Sequence, residues 1–469
     1  MAWLASRARA THVNPFCTPE EAEAVVELAQ EFGDFHQQND VGAVLVNGTG
    51  IGEGIPTAEC PADGKPPHLG WVLNNDQDEW ILPRRYDAMV GGQHTNNWNR
   101  PRDVRNPTGF RETYAYGDAH SLEFFHPKAQ AVEQLLTEKF TPLALRIYPD
   151  KPIVECNVVY CNVLIPGQEV GMHSDVPEFR GVNRLTAPNW LLGVMQHSGL
   201  FEEYRVHGVT CVSYYQDTQE GELAAYTQGP DKPGQVYPAR FASCTIFDAD
   251  STFHQADRVS QRLEHVPVTP RGTTLRFAGG EGAKRHWSMH DAEGQEVGRF
   301  FWRDMRMSVS WKAHCFSSPE AQELYHSGEG SLTVPAILRV FAEDLREKGV
   351  ALPYSVPDGM SRDEAKSFAE LLCLTYARYP TAATCQETWR DLARRTTRCR
   401  RSRRRRPSYD WRKRSLTCFA QGSECLRNGE HCVAPKPKPL FTHGTASPRP
   451  APASRPPCCS PPLPSPHAS

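Results

Sequence analysis

Seven short apolar runs, separated by Gly, Pro, Asn and Asp, recur over residues 154–316 and restrict the fold of this chain. Runs of this length between turn residues are typical of β-strands. They lie at residues 154–166, 190–196, 209–215, 222–226, 242–247, 273–277 and 306–316. Because no helical pattern separates them, the spacing predicts a sandwich, jelly roll or barrel.

Helical patterns flank this region on both sides. Thr18-Pro-Glu-Glu is a capping box with Pro at the first helical position, and it predicts a helix that ends near Gly33. Further apolar periodicities predict helices at residues 127–139, 319–325, 334–348 and 362–378. The predicted fold class is therefore mainly β with flanking helices (α+β).

The composition changes after residue 389. Residues 390–414 contain thirteen Lys and Arg against two acidic residues, and the sequence beyond residue 436 is largely Pro, Ser and Ala. Such a segment cannot bury a core. We therefore predict four parts. Residues 1–150 form N-terminal helices and loops that pack on the core, and residues 151–316 form the β core. Residues 317–389 form a helical extension, and residues 390–469 form a disordered tail.

The formal net charge of −3 hides an uneven distribution, because residues 1–389 carry about −17. An acidic core is poorly suited to the phosphate backbone of nucleic acids. Nucleic acid is therefore not expected as a substrate of the core, although the basic run in the tail could bind it or act as a nuclear address.

The cysteines and the N-terminus bear on the cellular compartment. Nine of the fifteen cysteines lie in residues 1–389 without a Cys-x-x-Cys pair, which indicates reduced thiols and a cytoplasmic location. No run of 18 apolar residues is present, so no membrane association is expected. Arg7 and Arg9, without nearby acids, leave an organelle transit peptide as an alternative, and the arginine run leaves a nuclear one.

The sequence Gly171-Met-His-Ser-Asp places an imidazole and a carboxylate two residues apart. On an extended chain His173 and Asp175 point to the same side. Two histidines and one carboxylate form the facial triad that binds non-haem Fe(II). The favoured third ligand is His254, which ends the apolar strand predicted at residues 244–254. The competing histidines are His207, His265, His286, His290 and His314.

A second polar pattern lies at Arg306-Met-Ser-Val-Ser-Trp. On a strand Arg306, Ser308 and Ser310 share one face, and three apolar residues share the other. The arginine fork binds carboxylates through two hydrogen bonds. The pattern fits a ligand-lined wall, or alternatively an edge strand with its polar side in water.

On these residues the chain resembles the 2-oxoglutarate/Fe(II)-dependent oxygenase superfamily over residues 154–316. The matching parts are His173-x-Asp175, the later His254 and Arg306-x-Ser308. Weaker matches are Asn157-x-x-Tyr160, similar to alkylation-repair demethylases, and Gly221-Glu-Leu, similar to prolyl-hydroxylase-like members. The resemblance implies a double-stranded β-helix, which is a jelly-roll, cupin-like core.

The resemblance also implies an enzyme with Fe(II), 2-oxoglutarate and O₂, and with ascorbate as reductant. His173, Asp175 and His254 would hold the metal and perform the catalysis, while Arg306 and Ser308 would bind the far carboxylate of oxoglutarate. Tyr160 and Asn162 share a strand face and could contact oxoglutarate or substrate. The expected reaction is hydroxylation, or demethylation through it, of a small molecule or peptide, with release of succinate and CO₂.

One spacing departs from the superfamily pattern. The 51 residues between His254 and Arg306 exceed the spacing in compact relatives, which predicts an insertion at about residues 259–303. Without an insertion, Arg258 or Arg262 would anchor oxoglutarate instead.

Two other kinds of protein stay open, and so does the substrate. A metal-binding cupin that acts as an isomerase or lyase would not need oxoglutarate, and a β-helix binding module would need no catalytic metal. Arg180 and Arg184, which follow the metal pair, are candidates for a lid over an anionic substrate or for ordinary surface arginines.

Overall fold

The computed structural model describes residues 7–37, 109–117, 121–218, 220–230, 232–259, 269 and 272–377, together with the backbone of three short strands at 55–56, 72–74 and 79–81. Arg262, His265 and the predicted tail lie outside the described residues. The predicted limits of the four parts and of the insertion stay predictions.

The N-terminal part places short strands around two helices. In chain order its elements are β1 Ala10–Val13, α1 Pro19–Glu31, β2 Asp34–Gln37, β3 Ile55–Pro56, β4 Val72–Asn74, β5 Glu79–Ile81, β6 Phe110–Gly117, β7 Leu122–Phe124 and α2 Ala129–Ile147. The capping box predicted at Thr18 is confirmed, with Glu21 as its partner.

The remaining elements are mostly antiparallel strands, followed by three helices. They are β8 Ile153–Leu164, β9 Val170–His173, β10 Glu178–Phe179, α3 Asn189–Ser198, β11 Arg205–Tyr214, β12 Leu223–Tyr226, β13 Gln235–Tyr237, β14 Ser243–Phe247, β15 Phe253–Ala256, β16 Thr274–Gly279, β17 His286–His290, β18 Glu296–Phe301, β19 Arg306–Phe316, α4 Pro319–Ser327, α5 Val334–Glu347 and α6 Arg362–Tyr376.

Two sheets form the core. The large sheet has the order β1-β14-β11-β19-β8-β6-β2-β16-β17-β18, and the small sheet has the order β13-β12-β15-β9. From β8 to β19 the chain passes back and forth between these sheets, which is the winding of a double-stranded β-helix. The predicted fold class is confirmed.

Strand β19 separates the hydrophobic core from the interior between the sheets. Its residues Met307, Val309 and Trp311 belong to the main apolar cluster. The Trp311 indole donates a hydrogen bond of 2.9 Å to the Thr137 hydroxyl on α2, and its ring lies 5.6 Å from that of Phe140. The alternate residues of β19 are therefore directed away from α2.

The prediction of a strand at residues 190–196 is wrong, because this segment lies in helix α3. All residues from Asn189 to Gln196 are buried, so the run is apolar on every side and its periodicity does not distinguish strand from helix. The helix ends at Gly199, whose φ of 73° belongs to the left-handed region. Helix α3 packs with α5 and α6 in a second apolar cluster.

The single strand predicted at residues 244–254 is also wrong. Strand β14 ends at Phe247, and β15 begins at Phe253 in the other sheet. Between them Asp248 forms a turn, since its side chain accepts a 3.1 Å hydrogen bond from the Ser251 amide. The polar residues inside the run thus mark a change of sheet.

Within the part of the chain that the structure describes, no helix is both long and apolar enough to cross a bilayer.

We expect Trp311→Ala to lower the free energy of unfolding by about 3–5 kcal/mol, because it leaves a large cavity between β19 and α2. Urea unfolding measures this loss. Val297→Ala on β18, whose valine is 44% exposed, should change stability by less than about 0.5 kcal/mol. Equal effects of the two substitutions would contradict the assignment of Trp311 to the core.

Candidate metal centre

The small sheet brings the predicted metal triad together. His173 at the end of β9 pairs in register with His254 of β15, and the two ring centroids lie 4.2 Å apart. Asp175 follows two residues later, where its amide donates to the Ala249 carbonyl at 2.9 Å. One ligand atom from each of the three residues lies within 4.8 Å of the others.

The other described histidines do not join this cluster. Among the described residues, His173, Asp175 and His254 form the one group of at least three side chains with metal-ligand geometry. His207 lies 3.8 Å from Glu202, and burial lowers the pKa of His207 to about 3. His314 lies 3.4 Å from Glu178.

Backbone carbonyls orient both histidines of the triad. His173 Nδ1 donates to the Gly171 carbonyl at 2.6 Å, and His254 Nδ1 donates to the Thr252 carbonyl at 2.9 Å. A proton fixed on Nδ1 leaves the lone pair on Nε2, which is the arrangement that metal-ligating histidines adopt.

The donor set fits a divalent metal. The histidines are 7% and 8% exposed, and Asp175 is half-buried. Phe247 packs against His254 with a centroid distance of 4.7 Å, which restricts ring rotation. Two neutral imidazoles and one carboxylate, held on one side of a partly buried space, suit Fe(II) with positions left for other ligands.

Lys312 contacts the carboxylate of the triad from the opposite sheet. Its Nζ lies 2.6 Å from Asp175 Oδ2, while Asp175 Oδ1 lies 3.7 Å from His173 Nε2. Burial favours a neutral lysine, but Asp175 and Tyr160 outweigh it and raise the pKa of Lys312 above its ordinary value. The side chain is therefore an ammonium beside the triad.

Arg306 is buried in the same interior at 3% exposure. Its Nε donates to the Gly221 carbonyl at 2.8 Å, Nη1 donates to the Ser308 hydroxyl at 3.1 Å, and Nη2 donates to the Tyr214 hydroxyl at 3.2 Å. Burial raises the pKa of Tyr214 despite the nearby arginine, so the phenol stays neutral. Among the described residues, no carboxylate forms an ion pair with Arg306.

The alternative anchor Arg258 is already engaged. Its Nε and Nη2 contact the two carboxylate oxygens of Glu169 at 3.0 Å and 2.9 Å. A bidentate pair of this kind satisfies the guanidinium fork, whereas Arg306 forms no such pair with any carboxylate in the part of the chain that the structure describes.

Tyr160 and Asn162 face the same interior, opposite Ser310 and Ser308 in the register between β8 and β19. Arg111 donates from Nε to Asn162 Oδ1 at 2.8 Å, and its guanidinium lies 4.0 Å from the centre of the Tyr160 ring. Although burial opposes ionisation, Lys312 and Arg111 together lower the pKa of Tyr160. Whether these residues contact oxoglutarate or substrate stays a prediction.

Arg180 and Arg184, the two candidates for a lid or for ordinary surface arginines, pack on aromatic rings. The Arg180 guanidinium lies 5.0 Å from the ring centre of Tyr204, and that of Arg184 lies 5.9 Å from the ring centre of Tyr116. Arg184 is exposed, and Arg180 is half-buried. Their role in a lid stays a prediction.

Sequence analysis missed several residues of the site. Lys312 extends the alternation of Arg306, Ser308 and Ser310 by one step, so that strand pattern could have indicated it. Tyr214 and Asp250 carry no comparable signal. Tyr214 meets Arg306 only through the pairing of distant strands, and Asp250 lies in the turn between β14 and β15, near enough to interact with the charges of Asp175 and Lys312. Burial and then the Asp248 carboxylate raise the pKa of Asp250 to about 8.

Comparisons with known proteins relate the fold to solved structures. No family model and no curated protein matches the sequence. The chain is similar to a viral collagen prolyl hydroxylase from Paramecium Bursaria Chlorella virus-1, solved with 2-oxoglutarate, at 8% identity and a TM-score of 0.29, over 65% of this chain and 94% of that chain.

Two further structures have comparable similarity. One is an oxidoreductase of the 2OG-Fe(II) oxygenase family from Burkholderia pseudomallei, at 9% identity and a TM-score of 0.27, over 46% of this chain and 72% of that chain. The other is a Trichoplax adhaerens prolyl hydroxylase in complex with a hypoxia inducible factor peptide, at 9% identity and a TM-score of 0.28, over 69% and 87%.

We expect the wild-type protein to bind one divalent metal, and His254→Ala to abolish stoichiometric binding because it removes one of three ligands. Titration with Co(II), followed by its visible absorption, measures this. His290→Ala is the matched control, since His290 instead contacts Ser288 at 2.8 Å. Loss of metal in the control alone would contradict the assigned triad.

Proposed function

We propose that the chain is an Fe(II)- and 2-oxoglutarate-dependent dioxygenase, which hydroxylates a substrate or demethylates it through hydroxylation. The observation that carries the proposal is Arg306, a buried arginine without an acidic partner among the described residues, in the same interior as the triad. The metal triad alone would suit other metal enzymes, but the arginine adds a site for an anion.

The charge of Arg306 is buried next to neutral groups. A buried guanidinium without a counter-ion is costly, and the neutral groups Gly221, Ser308 and Tyr214 orient Arg306 without neutralising it. Each of its terminal nitrogens carries two N–H groups, and one contact to each is accounted for. A carboxylate that enters the interior would receive the remaining donors and supply the missing charge.

The roles of the residues follow from this arrangement. His173, Asp175 and His254 would hold Fe(II), and Arg306 with Ser308 would bind the far carboxylate of oxoglutarate. When bound, iron and oxoglutarate supply the oxidation of a C–H bond by O₂, with succinate and CO₂ as coproducts. Ascorbate is the proposed reductant, and the substrate is proposed to be a small molecule or a peptide.

The protein itself orients the reactants and limits access of water. Tyr160 and Asn162 line the same interior, opposite Ser310 and Ser308 of β19, and Phe247 shields one side of His254. Fixed hydrogen-bond donors in such a partly buried space act without reorganisation, because the folded strands already hold them in place.

We expect wild-type protein with Fe(II), oxoglutarate, ascorbate and air to form succinate. His173→Ala removes a metal ligand and Arg306→Ala removes the partner of the oxoglutarate carboxylate, so each should reduce succinate formation at least about 100-fold. Chromatography of succinate measures the reaction, and it requires no known substrate if turnover is uncoupled. Arg306→Ala should retain the metal.

Arg258→Ala is the matched control, because Arg258 is paired with Glu169. It should keep oxoglutarate affinity near that of the wild type. If Arg258→Ala loses oxoglutarate affinity and Arg306→Ala retains it, Arg258 is the residue that binds the oxoglutarate carboxylate. If the metal-loaded wild type neither forms succinate nor binds oxoglutarate, a metal cupin without oxoglutarate becomes the better proposal, and absence of metal binding favours a non-catalytic module.

We also expect Gly221→Ala to weaken oxoglutarate binding while metal binding persists. Gly221 has φ of +89°, and an added Cβ would lie 2.9 Å from Arg306 Cδ, so the arginine would have to move. Isothermal titration of the metal-loaded protein with oxoglutarate measures the change.

Gly359→Ala separates the steric contact from backbone strain. Gly359 has a similar φ of +87°, but nothing lies within 4 Å of the added Cβ. This control should lose stability without losing oxoglutarate affinity. Equal oxoglutarate affinities in the two variants would contradict the proposed coupling of Gly221 to Arg306.

A further inference from the structure

The two oxygens of the Asp175 carboxylate have different surroundings. Oδ1 is the oxygen on the side of His173 Nε2, at 3.7 Å. Oδ2 accepts a hydrogen bond from Lys312 Nζ at 2.6 Å. If a metal occupies the triad, Oδ1 is the oxygen that lies on the side of His173, and Oδ2 is the oxygen held by an ammonium.

Lys312 is placed firmly on the large sheet. It pairs with Thr210 of β11 and with Val158 of β8, and the register with β8 shifts directly after it. Its side chain is 26% exposed, and Nζ lies 5.9 Å from the centre of the Tyr160 ring. A register shift bends a strand and redirects its side chains, so β19 can direct Lys312 across the interior to Asp175, which follows strand β9 of the small sheet.

We propose that Lys312 is a positioning residue for the metal centre. Lys312 holds Asp175 Oδ2, so that the carboxylate offers only Oδ1 to the metal. The remaining coordination positions then stay open for the two donor atoms of oxoglutarate and for O₂. The inference rests on the proposed function and extends it to a residue outside the triad.

The physical basis is the two binding modes of a carboxylate. Asp and Glu bind cations through one oxygen or through both. Without Lys312, Asp175 Oδ2 is released and can turn towards the metal, where it occupies a position that oxoglutarate needs. The ammonium also repels a divalent cation a few ångströms away, so its removal favours metal binding.

Positioning and simple structural support predict different results. If Lys312 only stabilised the local fold, its loss would disorder Asp175 and weaken metal and oxoglutarate binding together. If it positions the carboxylate, its loss leaves the metal bound at least as tightly and weakens oxoglutarate alone. The two affinities therefore move independently under the proposal.

The test compares wild type with Lys312→Met, Lys312→Gln and Lys312→Arg. Co(II) affinity and coordination are followed by visible absorption, and oxoglutarate affinity is measured by calorimetry on the Co(II)-loaded proteins. For Lys312→Met we expect Co(II) affinity equal to or above that of wild type, and oxoglutarate affinity lowered about 10–100-fold. Lys312→Arg should restore oxoglutarate affinity, because it keeps a charged donor.

Lys139→Met is the matched control. Lys139 on α2 also pairs with a carboxylate, that of Glu21 on α1, at 2.8 Å, but this contact is not part of the site. The control variant should match wild type in both affinities. Lys312→Gln removes the charge but keeps a polar side chain, and should resemble Lys312→Met if that variant does not fold. Folding of each variant is checked by circular dichroism.

Three results would overturn the inference. They are unchanged oxoglutarate affinity in folded Lys312→Met or Lys312→Gln, a parallel loss of Co(II) and oxoglutarate affinity, or no recovery in Lys312→Arg. A wild-type protein that fails to bind Co(II) or oxoglutarate would instead contradict the proposed function itself, and the inference with it.

Discussion

Strand β19 is hydrogen-bonded between β8 and β11, and this pairing places Arg306, Ser308 and Lys312 relative to the core. Its odd-numbered residues up to Trp311 pack towards α2, and its even-numbered residues face the interior between the sheets. A shift of register by one residue would exchange the two sets, burying Arg306 among apolar side chains. Packing of Trp311 on α2 therefore contributes to the position of the ionic groups on the opposite face.

The interior contrasts two cations, the half-buried Lys312 and the buried Arg306. Lys312 is compensated by Asp175 within the protein, whereas Arg306 is surrounded by neutral oxygens. Close ion pairs in a low-dielectric interior offset part of the cost of burial, and uncompensated charges retain it. Among the described residues, the chain thus compensates one cation within the protein and leaves the other beside neutral groups, which is the basis of the proposed oxoglutarate site.

Local sequence patterns predicted those parts of the site that depend on one strand. His173 and Asp175, like Arg306 and Ser308, follow from the two-residue repeat of extended chains. The contact between Lys312 and Asp175 joins β19 of one sheet to the segment after β9 of the other, across 137 positions of sequence. The segments predicted wrongly, at residues 190–196 and 244–254, were apolar runs in which length and composition did not reveal the path of the chain.

Main-chain carbonyls orient the two histidines of the triad, and this limits the number of side chains that the site needs. The carbonyls that hold His173 and His254 belong to Gly171 and Thr252, each two residues earlier on the same chain. Every amino acid has such a carbonyl, so side chains at these two positions can change while both imidazoles keep their orientation. The groups that orient the histidines are thus main-chain atoms, and a metal centre of this kind can be recognised in a sequence mainly by its ligands.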